Sequence, residues 1–246
     1  MRYFICLSYN GAAFCGWQIQ ENANSVQEEL QKALGTLLKE PVSVTGAGRT
    51  DSGVHAINYI AHFDSQTVIQ DETHLVYKMN AILPREIAVH KIFKVHDTAH
   101  ARFDAISRTY KYYVHTEKNP FTENMSLYVH PRNMNIAIMN RAAEYFLGEQ
   151  DFSSLEKVNG GNKTSICNVT HAAWEQTAEN KFVFTVTANR FLRNMVRAMV
   201  GSLLEVGAGK HNPEWIKEML QLKNRCCAGQ SVPGKALFLT EVKYPY

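Results

Sequence analysis

The sequence has little cysteine, and its cysteines follow no spacing that is typical of a zinc site or a disulfide framework. There are five, an odd number without a CxxC pair: Cys6, Cys15, Cys167, Cys226 and Cys227. Disulfide frameworks need an even number of cysteines, and zinc ribbons need paired CxxC motifs. We therefore predict a protein of the reducing cytoplasm, in which the adjacent Cys226 and Cys227 are ordinary semi-buried thiols.

Long apolar runs are also missing, and the first residues reach the polar Ser8 and Asn10 too soon for a secretory signal. The 246 residues are 45% hydrophobic and 20% charged, which is ordinary for a globular protein and excludes the disordered and fibrous classes. We expect a soluble, untargeted chain that does not contact a membrane.

A strong excess of charge of one sign is lacking as well. Lys and Arg number 26 against 23 for Asp and Glu, which gives a formal net charge of +3. This balance permits a polyanionic partner without demanding one. Any argument for nucleic-acid binding must therefore rest on local clusters.

Hydrophobic periodicity predicts helices and strands that are mixed without strict alternation. The clearest helix follows a capping box of Ser25 and Glu28, and its apolar positions are Val26, Leu30, Ala33, Leu34, Leu37 and Leu38. Strands are predicted at residues 3–9, 42–45, 57–63, 87–95, 107–116, 166–174, 182–187 and 237–242. We predict an α+β fold of two similar halves, residues 1–105 and 106–246, which share a largely antiparallel mixed sheet flanked by helices.

A long helix is predicted near residue 195, and its apolar positions are Leu192, Met195, Val196, Met199, Val200, Leu203 and Leu204. Arg193 and Arg197 are expected on one face of it at i, i+4 spacing, with Arg190 just before the helix begins. Clustered guanidinium groups suit phosphate or carboxylate binding, and a solvated basic stripe is the open alternative.

A glycine-punctuated loop in residues 46–53 is the main candidate for a functional site. Its three glycines let the backbone approach a ligand, and Asp51 is a candidate catalytic carboxylate. Turn closure by Asp51 and Ser52 is the open alternative. His55 and His62 are seven residues apart in a predicted strand, so they point to opposite faces and predict no metal site. The aromatic strand RTYKYYV, residues 108–114, suits either base stacking or sheet packing.

Five separated segments resemble the TruA family of tRNA pseudouridine synthases, in the right order and over essentially the whole chain. They are NGAAFCGWQIQ (10–20), SVQEEL (25–30), GAGRTDSGVHA (46–56), ARFDAISRTYKYYV (101–114) and NRFLRNMVRAMVGSLLEVG (189–207). The resemblance implies the pseudouridine synthase fold and the isomerisation of uridine to pseudouridine in the tRNA anticodon stem-loop, at positions 38, 39 and 40. It also implies a homodimer that grips tRNA and a reaction without cofactor or metal.

The same resemblance implies roles for five residues. Asp51 is the nucleophile, and Arg197 is the arginine that pairs with it. Arg49 supports the flipped nucleotide, Tyr110 stacks on the target base, and Leu237 lines the uracil pocket. A carboxylate suits the nucleophile's role because it is ionised at neutral pH, and a flipped base needs an aromatic platform.

Arg190 and Arg193 are expected to bind the substrate backbone. The sequence departs from the family pattern at Tyr59, where Gln is common, at Gln150, where His is frequent, and at Ala236, where Gly is usual. These departures concern RNA contacts and pocket shape, and they leave the proposed chemistry intact.

Two other functions stay open. One is an RNA-binding module or chaperone without catalysis, which would use the aromatic and basic strands. The other is a small-molecule lyase or hydrolase that uses Asp51 and His55.

Overall fold

The computed structural model describes residues 1–157 and 164–246, which form two compact units. The first unit comprises Met1–Ile106 and Leu239–Tyr246, and the second comprises Ser107–Phe238. Each unit contains β-strands flanked by helices. Within the described residues, no helix combines the length and the apolarity that crossing a bilayer requires.

The first unit is built around strand β1, which pairs antiparallel with β3 on one side and β4 on the other. The short strand β2 pairs antiparallel with β3, and β10 also lies next to β3. The elements, in chain order, are β1 (Arg2–Tyr9), α1 (Val26–Leu38), β2 (Val44–Gly46), β3 (His55–Asp64), α2 (Glu72–Ile82), β4 (Ile87–Lys94) and β10 (Leu237–Lys243), of which residues 239–243 belong to this unit.

Helix α1 begins where the capping box predicts. The Ser25 side chain accepts a hydrogen bond from the Glu28 backbone N–H at 3.3 Å, and the helix ends at Leu38, because the next residue, Lys39, has a left-handed φ of 57°. The predicted apolar face is buried at four positions and half-buried at the last two: Val26, Leu30, Ala33 and Leu34, then Leu37 and Leu38.

The second unit has the strand order β5-β9-β8-β7, with antiparallel pairing throughout and β6 parallel to β5. Its elements are β5 (Ser107–His115), β6 (Leu127–Tyr128), α3 (Ile136–Ala143), β7 (Gly148–Asp151), β8 (Ile166–Ala178), β9 (Lys181–Ala188), α4 (Met195–Gly207) and α5 (Trp215–Leu222). The prediction of an α+β fold with mostly antiparallel strands and flanking helices is confirmed.

One prediction about the long helix was wrong. Helix α4 begins at Met195, so Arg193 lies outside it and cannot share a helix face with Arg197. The physical reason is Asn194, whose φ of 69° is left-handed and breaks the helical backbone immediately before Met195. The buried face is also wider than predicted, because Gly201 packs against the Gln230 backbone.

His62, on β3, is a buried histidine of the first unit. It is 6% exposed, and its Nδ1 accepts a hydrogen bond from the Ala101 N–H at 3.1 Å. Burial lowers the pKa of His62 to about 4, and the charges of Arg2 and His100 act in the same direction. The folded protein therefore holds this side chain neutral.

We predict that the protein loses stability on mild acidification because of His62. Since the pKa is lower in the folded state, the unfolded chain binds the extra proton between about pH 6.5 and about pH 4. The free energy of unfolding should fall by about 2 kcal/mol from this group between about pH 7.5 and about pH 5. Urea unfolding at the two pH values measures the change.

His62→Asn retains an acceptor for Ala101 and should show a smaller loss on acidification than the wild type. The exposed His74 of α2 supplies the matched control, and His74→Gln should behave as the wild type does. An unchanged pH dependence in His62→Asn would contradict the assignment.

Candidate active site

The Asp51 loop, defined as residues 47–54, connects β2 to β3. Its turn is closed by the backbone carbonyl of Asp51, which accepts a hydrogen bond from the Val54 N–H at 3.2 Å, and Gly53 has a φ of 78°. The turn thus does not require the Asp51 carboxylate for its closing bond. The Asp51 side chain is half-buried, whereas Arg49 is exposed.

Gly16 holds this loop through backbone contact. It has a φ of 96°, and a Cβ at this position would overlap the Thr50 carbonyl oxygen and lie 3.2 Å from the Asp51 carbonyl carbon. The next residue, Trp17, donates its N–H to the Thr50 carbonyl at 3.3 Å, and the Ser52 hydroxyl donates to the Phe14 carbonyl at 3.3 Å. Only glycine combines this φ with so close an approach.

A second contact of this kind fixes the end of the loop. The Gly11 N–H donates to His55 Nδ1 at 3.1 Å, and a Cβ on Gly11 would overlap the Val54 carbonyl. His55 is 2% exposed. This buried, hydrogen-bonded histidine fits a structural role and disfavours the lyase or hydrolase that would use it for acid–base chemistry.

Three aromatic side chains, Tyr9, Trp17 and Tyr59, pack behind the loop and are called the aromatic trio below. Trp17 stacks on Tyr59 with ring centroids 4.2 Å apart, and Tyr9 meets the Tyr59 ring at an interplanar angle of 62°. The hydroxyls of Tyr9 and Thr50 lie 2.9 Å apart, a hydrogen-bonding distance. Of the trio, only Tyr59 stood out in the sequence, as a departure from the family pattern, and the packing of the three rings was not predicted.

In the second unit, Tyr110 lies on β5 opposite Val186 of β9. It is buried, with 9% of its surface exposed. The Phe191 ring meets it nearly perpendicularly, at 87° and a centroid distance of 5.2 Å, and such edge contacts are favourable for aromatic pairs. Phe191 therefore restricts the tilt of the tyrosine ring, a contact that sequence reasoning did not foresee.

Arg197, on α4, is held against the segment that leads into β10. Its Nε donates to the Val232 carbonyl at 2.7 Å, and its own carbonyl accepts from the Val232 N–H at 3.2 Å. Tyr112 donates its hydroxyl to Pro233 at 3.0 Å, and burial raises the pKa of Tyr112 while the Arg197 charge opposes that rise. Leu237, 5% exposed, ends the same segment.

Arg190 and Arg193, the other two members of the predicted arginine cluster, contact a different part of the second unit. Arg190 is half-buried and donates from Nη1 to the Thr164 carbonyl at 3.1 Å. Arg193 is exposed, and its backbone carbonyl accepts from the Lys157 N–H at 3.0 Å. The structure thus places Arg197 at residues 232–237 and the other two near Lys157 and Thr164.

The cysteines and the metal-ligating residue types form no further site within the ranges that the structure describes. No group of three or more His, Cys, Asp or Glu residues there could hold a metal ion. Burial raises the pKa of Cys167 to about 11, with the Arg190 charge opposing, so this thiol is poorly reactive at neutral pH.

Comparison with known proteins identifies the family. The sequence model of the family described as tRNA pseudouridine synthase matches residues 5–104 and 142–245, in two segments that agree with two similar halves. The chain therefore belongs to the tRNA pseudouridine synthases, a family of isomerases, and the resemblance seen in its motifs is confirmed.

Individual relatives are similar to this chain over more than nine tenths of their lengths. The chain is 50% identical to tRNA pseudouridine synthase A of Parabacteroides distasonis, over 99% of this chain and 96% of the relative. It is 48% identical to the protein of that name in Bacteroides fragilis, with the same coverage. It is 39% identical to that of Aliivibrio salmonicida, over 100% of this chain and 93% of the relative.

Gly16→Ala tests the backbone contact that holds the Asp51 loop. We expect a loss of about 2 kcal/mol or more in the free energy of unfolding, because alanine is strained at this φ and its Cβ overlaps Thr50. Gly48→Ala is the matched control, since a Cβ there would have no heavy atom within 4 Å. Chemical denaturation measures both, and equal stabilities of the two variants would contradict the prediction.

Proposed function

We propose that this protein converts uridine to pseudouridine in tRNA, with Asp51 as the nucleophile. The observation that carries this proposal is the Asp51 loop, where a half-buried carboxylate is mounted on a backbone fixed by Gly11, Gly16 and Trp17. A rigid mounting of this kind suits a residue that must meet its substrate in one geometry. Family membership and the names of the relatives support tRNA as the substrate.

The reaction is an isomerisation whose atoms balance within one nucleotide. The Asp51 carboxylate forms a covalent bond with the nucleotide, at the sugar or at the base, and the bond between N1 and the ribose breaks. The uracil then rotates, C5 bonds to the ribose, and the carboxylate is released. C5 loses a proton and N1 gains one, so the reaction needs no oxidant or reductant.

The other roles in the reaction are assigned to Tyr110, Leu237, Arg197 and Arg49. We assign base stacking to Tyr110, whose hydroxyl can also assist proton transfer from C5, and the lining of the uracil pocket to Leu237. Arg197 is the cation that pairs with the catalytic carboxylate. Arg49 is exposed and precedes Asp51 by two residues in the chain. We assign it the contact with the phosphate backbone of the flipped nucleotide.

The substrate region is the anticodon stem-loop, at positions 38, 39 and 40, and the working form is a cytoplasmic homodimer. The net charge of +3 on one chain suits this arrangement, because two protomers can combine local Arg and Lys patches into one groove. Arg190 and Arg193 belong to that basic surface and contact the tRNA backbone.

Asp51→Asn should abolish pseudouridine formation while leaving tRNA affinity unchanged. Loss of the nucleophile should lower the rate by at least about 10⁴-fold. Pseudouridine mapped in purified tRNA after treatment measures the rate and shows whether positions 38–40 are the targets. Binding of the same tRNA is measured in parallel, and tRNA that carries 5-fluorouridine should trap the wild type covalently but not the variant.

The matched control is Glu179→Gln, which also removes one negative charge but lies exposed outside the Asp51 loop and should keep full activity. An active Asp51→Asn variant would sink the assignment of the nucleophile. Wild-type protein that binds tRNA and isomerises no uridine would instead favour an RNA-binding module without catalysis.

Substitutions of two arginines should affect different kinetic constants, Arg197→Gln the kcat and Arg193→Gln the KM. Arg197→Gln should lower kcat by about 100-fold with little change in KM, because the proposed partner of the catalytic carboxylate is lost. Arg193→Gln should raise KM and reduce the slope of log affinity against log salt by about 1, because one phosphate contact disappears. Steady-state kinetics and salt titrations measure these effects, and the reverse pattern would contradict both roles.

A further inference from the structure

Tyr59 lies on β3 opposite Leu7 of β1, with none of its surface exposed. Its hydroxyl accepts a hydrogen bond from the Gly48 N–H at 3.3 Å and donates one to the Gly48 carbonyl. A phenol can do both because its oxygen is a donor and an acceptor at once. One side chain thus binds both backbone groups of the residue that begins the GRTD run.

The Tyr59 ring itself has little freedom to move. Trp17 stacks on one side of it at 4.2 Å, and Tyr9 meets it with ring centroids 5.6 Å apart. A Cβ on Gly46 would overlap the Tyr59 hydroxyl and lie 2.5 Å from Trp17 Cε2, so the space around the hydroxyl is filled. The position of the Tyr59 hydroxyl is consequently fixed by the packing of its ring.

This fixed point lies close to Asp51 along the chain. Gly48 precedes Asp51 by three residues, and the intervening Thr50 is anchored by the hydroxyl of Tyr9 at 2.9 Å. Two phenols of the aromatic trio therefore hold the backbone and a side chain of the short segment that ends at Asp51. Arg49, which lies between Gly48 and Thr50 in the chain, is exposed.

We propose that Tyr59 is a positioning residue for the reaction: its hydroxyl fixes the Gly48 peptide groups and so sets the direction in which residues 49–51 continue from Gly48. The Asp51 carboxylate owes its position to that constraint. The inference rests on the proposed role of Asp51. It also gives a function to a position where the sequence departs from its family, since a glutamine amide likewise offers a donor and an acceptor.

Tyr59→Phe tests the inference, because it removes the hydroxyl and keeps the ring between its neighbours. We expect kcat for pseudouridine formation to fall by about 10- to 100-fold with KM within about 2-fold, since a small displacement of a reacting group has effects of this size. The rate of trapping by 5-fluorouridine tRNA should fall in parallel, because both processes need the positioned carboxylate.

Tyr3→Phe is the matched control. Tyr3 is also fully buried in the first unit, and its hydroxyl accepts a hydrogen bond from a backbone group remote from the loop, the Ile69 N–H at 3.0 Å. It should lower the melting temperature about as much as Tyr59→Phe does while kcat stays at the wild-type value. A folded Tyr59→Phe with wild-type kcat, or an equal loss of kcat in Tyr3→Phe, would overturn the inference.

The failure of this inference is distinguishable from failure of the proposed function. If Asp51→Asn is inactive and Tyr59→Phe is fully active, the nucleophile stands and the positioning role is wrong. If Asp51→Asn is active, the assignment of Asp51 as the nucleophile fails, and if the wild type isomerises no uridine, the proposed function itself fails, whatever Tyr59→Phe does.

Discussion

The contact between two stretches of backbone, residues 11–16 and residues 50–54, is the constraint on which the candidate site depends. At Gly11 and Gly16 the peptide groups of the other stretch occupy the space where a side chain would begin, and Gly16 also has a left-handed φ of 96°. Both conditions exclude other residue types. The loop is therefore held by backbone contacts, which are stiffer than contacts between long side chains.

The aromatic trio extends this constraint from the end of the loop to its beginning. Tyr59 binds the peptide groups of Gly48, and Tyr9 binds the Thr50 hydroxyl, so hydrogen bonds to packed rings hold the loop at two positions. For the proposed role of Asp51, preorganisation of this kind leaves little rearrangement to be made during the reaction. It explains why three large aromatic side chains of the first unit pack behind one short loop.

Local patterns predicted most elements, as Ser25 at the start of α1 and the strands on either side of the Asp51 loop show. They failed where the deciding feature was one backbone angle or a very short element. The left-handed Asn194 removed Arg193 from α4, and the two-residue strand Leu127–Tyr128 is too short to show a period. Motifs singled out Asp51 and Arg197 as candidate residues, whereas the contacts of Tyr59 and Phe191 could not be read from the sequence.

The sequence by itself determined which segments form the main helices and strands, which residues make up the Asp51 loop, and that the chain belongs to the tRNA pseudouridine synthases. Each of these can be recognised from short runs of neighbouring residues. Only the tertiary structure decided that residues 239–246 belong with the first unit and that Arg197 binds the backbone of Val232. It also decided that Gly16 lies against Thr50. These contacts join residues far apart in the chain, and they follow from how whole elements pack, which no local pattern specifies.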